Sequence, residues 1–453
     1  MPTQNLIHPS RRLRRFVAAG FVVGFSLHGA TVLAEASEVA KPAATFNAGV
    51  GVIDITPSEP IELKGMPASP RTAEVKTRLC VRALVLASGE TRAAIVTLDT
   101  LKYPEEDARK ARQQIERVTG IPAANIILCA SHTHYGPLWA WYPDRLVTRI
   151  TEAVTLAAKD LSPCTIGAAT GTAEGLSECR RVIKDGNAWN RWQLKPEEAG
   201  KYPAEGPSDP SFDLLAITAA DGRRKAIVYN FACHATSTRA PLISADFPGE
   251  VEEHVQQQLG AKVPLLFLTG ACGDVNPVVS LRRNLFAEGL GGEILRCLDR
   301  LEPIANPTLG VVSREFAMPT RENPVFKEAE IARNWPAQLE HYRKSFDLML
   351  RRQKPTYPYM MTALRIGNDF AIVTNANELF CGIGLSIKKQ SPFTRTMVAE
   401  QTNGAHGYVP TAEAFKNGSY ETWFGEHSHL STKAGEKIET TSLELLNQVK
   451  LSQ

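Results

Sequence analysis

The sequence predicts an α/β fold: a mixed, largely parallel β-sheet core flanked by helices, in a single large domain. Three observations carry this. Short apolar runs alternate along the chain with segments of helical periodicity. A hydrophobic content of 43% in 453 residues is enough for a substantial core. Neither an internal repeat nor a second domain boundary shows in the residue pattern.

The elements follow in order. Arg11, Arg12, Arg14 and Arg15 precede an apolar stretch, 16–33, that ends in the small-x-small signal Ala34-Glu35-Ala36. Residues 1–36 therefore read as a secretory signal peptide and 37–47 as a linker, with the folded domain over 48–453. Ser10-Arg11-Arg12 fits a twin-arginine signal only loosely, so the export route stays open. The expected product is exported, periplasmic or extracellular, and soluble once the signal is cleaved.

Strand-like runs recur at 48–55, 79–87, 93–98, 126–130, 214–218, 226–231, 265–268, 309–312 and 370–373. The clearest helix starts at Pro104, carries Glu105, Glu106 and Asp107 in its first turn and stops at Gly120 before Pro122. Apolar spacing predicts further helices over 145–161, 249–259 and 432–449. Residues 184–210, rich in Gly, Pro, Asn and Trp, read as a long surface loop, and 328–352 as a solvated helical insertion.

The formal net charge is +3, much of it in the four leader arginines, which leaves no nucleic-acid footprint. Eight cysteines form no Cys-x-x-Cys pair, which argues against a cysteine zinc knuckle. Export permits disulfides, but their pairing is not legible.

Chemistry concentrates where apolar runs end. Five runs deliver, in turn, Asp99; His132 and His134; His234; Asp274 and Asn276; and Asn377 and Glu378. Parallel neighbours would collect these ends at one sheet edge, where ligands bind in open α/β sheets. Imidazoles and carboxylates gathered there are expensive to bury without a partner, and a metal ion supplies one. Histidines with carboxylates and no cysteine set favour zinc or another divalent first-row metal over calcium. Asp99 and Asp274 are expected behind the ligands, fixing their tautomers. His254 and His341 read as structural or solvated, and His427 and His429 as residues of a polar loop without an assigned role.

Taken together, Gly51-x-x-Asp54-Ile55-Thr56-Pro57, Ser131-His132-Thr133-His134-x-Gly136-Pro137, Phe231-x-x-His234-x-Thr236-Ser237, Gly273-Asp274-Val275-Asn276-Pro277 and the stretch 403–411 resemble the neutral/alkaline, non-lysosomal ceramidase family. The motifs stand in the family's order from residue 48 to about 420. The resemblance implies an amidase holding one zinc ion, which cleaves the N-acyl bond of ceramide by metal-activated water. By motif, the zinc ligands are His132, His234, Glu378 and Tyr408, with His406 as the rival of Tyr408. His134 and Arg180 match residues that handle the scissile amide, Arg181 being the alternative to Arg180.

Two departures stand out. Asn276 occupies the place of a serine that matters for catalysis in the family, and a carboxamide is no hydroxyl nucleophile. Asn276 would then serve as a hydrogen-bond donor to substrate or oxyanion. The family's C-terminal β-sandwich has no counterpart after the last motif. Two alternatives remain: a zinc hydrolase of another amide or ester, from the cell envelope or a glycan, or an inactive, metal-stabilised secreted binding protein. Trp139, Trp141, Tyr142, Trp189 and Trp192 suit stacking on a sugar as well as gripping an acyl chain. The expected partner is a small-molecule amide or lipid, which leaves room for peripheral contact with a membrane; the oligomeric state is not legible.

Overall fold

The computed structural model describes residues 46–65, 70–198, 200–278 and 285–452. The expected signal peptide, with its arginines, and linker residues 37–45 lie outside them. The described residues form one compact unit, and its first strand begins at Phe46, two residues before the expected start.

One order of elements occurs three times: three strands, a helix, a strand and a helix. The first pass is β1 (Phe46–Asp54), β2 (Cys80–Ser88), β3 (Thr91–Leu98), α1 (Glu105–Thr119), β4 (Ile126–Ala130) and α2 (Val147–Lys159). The second is β5 (Ser162–Thr172), β6 (Ser211–Ala219), β7 (Arg224–Phe231), α3 (Phe247–Leu259), β8 (Leu265–Thr269) and α4 (Leu285–Asp299). The third is β9 (Leu309–Pro319), β10 (Thr356–Ile366), β11 (Phe370–Thr374), α5 (Cys381–Gln390), β12 (Arg395–Ala399) and α6 (Ala434–Leu451). Short strands and turns intervene, and the third pass also carries helices Glu328–Asn334 and Leu339–Arg352 between β9 and β10 and Ala412–Asn417 before α6. The structure thus contains a repeat that the residue pattern does not show, because it lies in topology rather than in shared residues.

Each pass builds a four-stranded sheet in chain order, and β1 joins β5 to link the first two sheets. The inner faces of all three sheets share one core, with Leu84, Ile95 and Ile127 from the first, Leu215, Val228 and Leu266 from the second, and Leu364, Ile372 and Met397 from the third. The outer faces are covered by α1 and α2, α3 and α4, and α5 and α6. Helix α2 lies directly on β1 because Gly49 and Gly51 have no side chain. A Cβ on Gly51 would sit 2.1 Å from the Ala153 carbonyl oxygen.

The mixed α/β class and the single large domain hold, but the sheets are not largely parallel. The first three strands of each sheet are antiparallel, and only the last pair, β3–β4, β7–β8 and β11–β12, is parallel. The two residues Gly89-Glu90 between β2 and β3 permit only an antiparallel hairpin, whereas each parallel pair is bridged by a helix. Strands buried on both faces read as continuous apolar runs whichever way they pair.

Three of these twelve strands were not expected: β5, β10 and β12. In β5, Gly167, Ala168, Ala169 and Gly171 give weak strand propensity. Packing replaces it, since a Cβ on Gly171 would lie 2.4 Å from the Phe212 ring. The other expected helices appear within a few residues of their predicted bounds. The 184–210 segment carries its own strand, Asn187–Asn190, paired with Arg181–Lys184. Among the described residues no helix is long and apolar enough to cross a membrane, and all eight thiols are free.

Candidate metal centre

The strand ends meet because β4, β8 and β12 are tied together just past their last residues. Ala130 N donates to Gln401 O (3.1 Å) and Glu400 N to Thr269 O (2.8 Å), while Thr269 Oγ1 donates to Ala130 O (2.8 Å). Three sheets, rather than one sheet edge, therefore supply the cluster. His132 follows β4 in the left-handed region, at φ 61°, with its N–H on Thr100 O. His234 follows β7 and donates its backbone N–H to Val275 O. Glu378 follows β11 in a two-residue strand, Glu378–Leu379, paired in parallel with Tyr408–Val409.

All three imidazoles are anchored in the same way. Nδ1 of His132 lies 2.7 Å from Leu101 O, that of His134 2.9 Å from Gly65 O, and that of His234 2.8 Å from Cys272 O. A carbonyl only accepts, so each Nδ1 carries the hydrogen and each Nε2 presents a lone pair, the tautomer a metal ligand needs. The three rings offer nitrogens that lie within 4.8 Å of one another. Glu378 Oε2 is 3.5 Å from His132 Nε2 and 3.4 Å from His234 Nε2. His132 Nε2, His134 Nε2 and Glu378 Oε2 are buried without a hydrogen-bond partner. Converging lone pairs and a carboxylate oxygen, with no donor among those three atoms, fit a divalent cation. This buried histidine group can hold a metal ion.

Electrostatics agree. Burial alone would raise the Glu378 carboxyl, but His132 and His234 against it hold it well below the usual carboxylate range. Burial and then Arg180 push His234 down to about 4. Burial, with His132 and His234 close by, also holds His134 well below an ordinary histidine. The Tyr408 phenol is pushed well above its usual value by burial and then by Glu378. Gly273 makes room for the carboxylate's backbone, since a Cβ there would stand 2.4 Å from the Glu378 carbonyl oxygen.

Arg180 closes one side. Its NH1 contacts His234 Nε2 (3.2 Å) and donates to Asn276 Oδ1 (3.1 Å), its Nε donates to Glu421 Oε1 (3.1 Å), and its NH2 donates to the Tyr420 hydroxyl. The Tyr408 and Tyr420 hydroxyls are 3.2 Å apart. Arg181 points elsewhere, to Glu205 and Gly418 O, with one donor to the far oxygen of Glu421. His406 is also turned away: its neighbours are Tyr357, Tyr359 and His429. Of the two rival pairs, Arg180 and Tyr408 are the members beside the cluster.

Neither aspartate fixes a tautomer, because backbone carbonyls do so. Asp99 pairs with Arg82 (2.7 Å) and caps Cys80 N. Asp274 Oδ1 accepts from Cys381 N (2.7 Å), steadying the start of α5 just after Glu378. The tryptophans scatter. Trp192 lies 5.5 Å from the Arg180 guanidinium, Trp189 faces Lys184, and Trp139 faces Lys102 and Arg145.

Sequence reading missed Tyr420, Glu421 and Glu400. Tyr420 and Glu421 sit in a polar turn without a motif. Glu400 directly follows β12, an unexpected strand, and was lost with it. Its buried carboxyl, pushed well above the usual range by burial, accepts from Leu379 N (2.7 Å) and Cys272 N (3.3 Å), linking the loops around Glu378. The 328–352 insertion is helical but not merely solvated. Glu330 accepts from Ser419 N and Trp423 Nε1, and Trp335 packs 6.0 Å from Tyr420.

Three helix-covered sheets around one core, with imidazoles and a carboxylate at the strand ends, define an α/β fold carrying a candidate metal centre. Within that class the fold is that of neutral ceramidase. A neutral ceramidase from Pseudomonas aeruginosa superposes with a TM-score of 0.67 at 17% identity, over 90% of this chain and 75% of that one. A ceramidase complexed with C2 gives 0.68 at 17% identity, over 90% and 76%. No family model matches the chain, and no curated protein does.

Proposed function

We propose that the chain is an exported, metal-dependent hydrolase of the neutral ceramidase type that cleaves an N-acyl amide in a ceramide-like lipid. The observation that carries this is the convergence of His132 Nε2, His234 Nε2 and Glu378 Oε2, buried and within 3.5 Å across each histidine–glutamate pair. With the Tyr408 phenol, these groups would hold one ion, zinc by the chemistry of the donors. When bound, such an ion supplies Lewis-acid polarisation at neutral pH.

The surrounding residues supply the rest. His134 is the most open of the three imidazoles and has its Nδ1–H pinned, so Nε2 is the atom that accepts a proton from attacking water and returns it to the leaving amine nitrogen. Asn276 gives its Oδ1 to Arg180, which leaves the Nδ2 hydrogens for the oxygen of the scissile carbonyl. Arg180 donates to Asn276, Glu421 and Tyr420 and so acts by positioning them. Residues 1–36 would be removed on export and 37–47 would link to the catalytic domain.

A second reading keeps the centre and changes the substrate to a polar amide or ester from the envelope or a glycan. Trp192 supports it, being 44% exposed beside Arg180, since an open indole face stacks on sugars. Zinc-loaded protein assayed on an N-acylsphingosine and on a panel of soluble amides and esters separates the two. Ceramide cleavage that disappears in His134→Gln supports the lipid reading. Turnover of soluble substrates alone supports the second, and no turnover of either overturns both.

A further inference from the structure

Beyond this centre, the geometry points to a second metal-binding site, built from His406 and His429, that takes a borderline divalent first-row ion. His406 Nε2 and His429 Nδ1 are sealed from solvent and have no hydrogen-bond partner, and the two residues are only 8% and 7% exposed. Their ring centroids are 6.1 Å apart at 70°, close to the 5.9 Å between His134 and His234.

The lone-pair logic of the first centre repeats. The Pro358 carbonyl faces His406 and the Glu426 carbonyl faces His429. A carbonyl accepts only, so it fixes the hydrogen on the nitrogen it faces and leaves the other nitrogen as a bare acceptor. Neither neighbouring tyrosine is set to satisfy both. Tyr359 stacks on His406 at 5.5 Å, and its hydroxyl is committed to Asn377 Oδ1 and Ala376 N. The Tyr357 ring, itself half-buried, packs against both imidazoles at 5.8 and 5.1 Å. Two buried acceptors beside each other are costly unless a cation or a double donor joins them. Two imidazoles are a nitrogen donor set that suits zinc or cobalt(II) and not calcium. Exposed Thr356 and Pro358 flank Tyr357, so the pair lies close under the surface.

The site shares no ligand with the His132 and His234 centre, so the two are separable. Metal-stripped full-length protein is loaded with Zn²⁺ or Co²⁺, freed of excess, and its ions per chain are counted. Two are expected in the wild type. His406→Gln and His429→Gln should each fall to one while keeping the Co²⁺ absorption of the first centre, and His132→Ala should fall to one with the other spectrum. A wild-type count of one overturns the proposal however the variants fold. So does a second ion that survives His406→Gln and His429→Gln together.

Discussion

Asn276 and the paired histidines show how much chemistry a single side chain settles here. His132 and His234 present their Nε2 atoms to Glu378 from two different sheets, so neither replaces the other. His132→Ala or His234→Ala should cut bound zinc from one ion at this centre to a small fraction, measured by elemental analysis of folded protein. Full retention in both would remove them from the ligand set. The Asn276 side chain hydrogen-bonds Arg180 and is not among the proposed ligands. Asn276→Ala should therefore leave metal content unchanged and lower kcat by roughly 10²-fold, the usual scale for losing one oxyanion donor. Unchanged kcat would take Asn276 out of the chemistry.

At the scale of elements, two glycines separate scaffold from centre. Gly51 lets α2 settle on β1, far from the histidines. Gly51→Ala forces a Cβ into the Ala153 carbonyl and should destabilise by about 1–3 kcal/mol, with metal per folded chain unchanged. Gly273 instead abuts the backbone of Glu378. Gly273→Ala should displace the carboxylate and lower zinc affinity at least tenfold in chelator competition. Equal affinity to wild type would show that the Glu378 loop yields freely. The same scale explains Asn403, whose amide bonds Leu128 N and Ile126 O and so completes the edge of β4 without entering the centre.

Across the whole molecule, burial of neutral histidines sets an acid limit. His234 and His406 are pushed down to about 4 and His429 to about 3, each chiefly by burial. An unfolded imidazole takes its proton near pH 6.5, so between there and about pH 4 the unfolded state binds more protons and stability falls as pH falls. Asp274, raised to about 6 by burial, opposes this, because its folded form keeps a proton that the unfolded form loses. Glu400, held well above the carboxylate range by burial, opposes it as well, whereas burial also pushes His134 and His427 down, so five imidazoles outweigh two strongly raised carboxyls. The melting temperature of metal-free protein should drop between pH 7 and pH 5, and a flat profile would contradict the buried, neutral state of these rings.

Much of this was legible in the chain. The apolar runs mark nine of the twelve main strands, and the polar residues just beyond them include His132, His134, His234, Asn276 and Glu378, because a strand buried on both faces must be apolar until it ends. The motif resemblance added Tyr408 and Arg180. Sequence could not give pairing direction, since apolar runs look alike in antiparallel and parallel neighbours. Nor could it show the threefold order of elements, which shares topology and not residues. It likewise missed β12 and with it Glu400, the next residue, and Tyr420, which reaches Arg180 only through a turn. Which of Arg180 and Arg181, or Tyr408 and His406, stands beside the histidines was decided by the tertiary structure alone. The reason is that adjacent residues such as Arg180 and Arg181 point to different sides of one backbone, that Gly407, at φ 74°, turns the chain between His406 and Tyr408, and that only the closure of three sheets determines which side holds the centre.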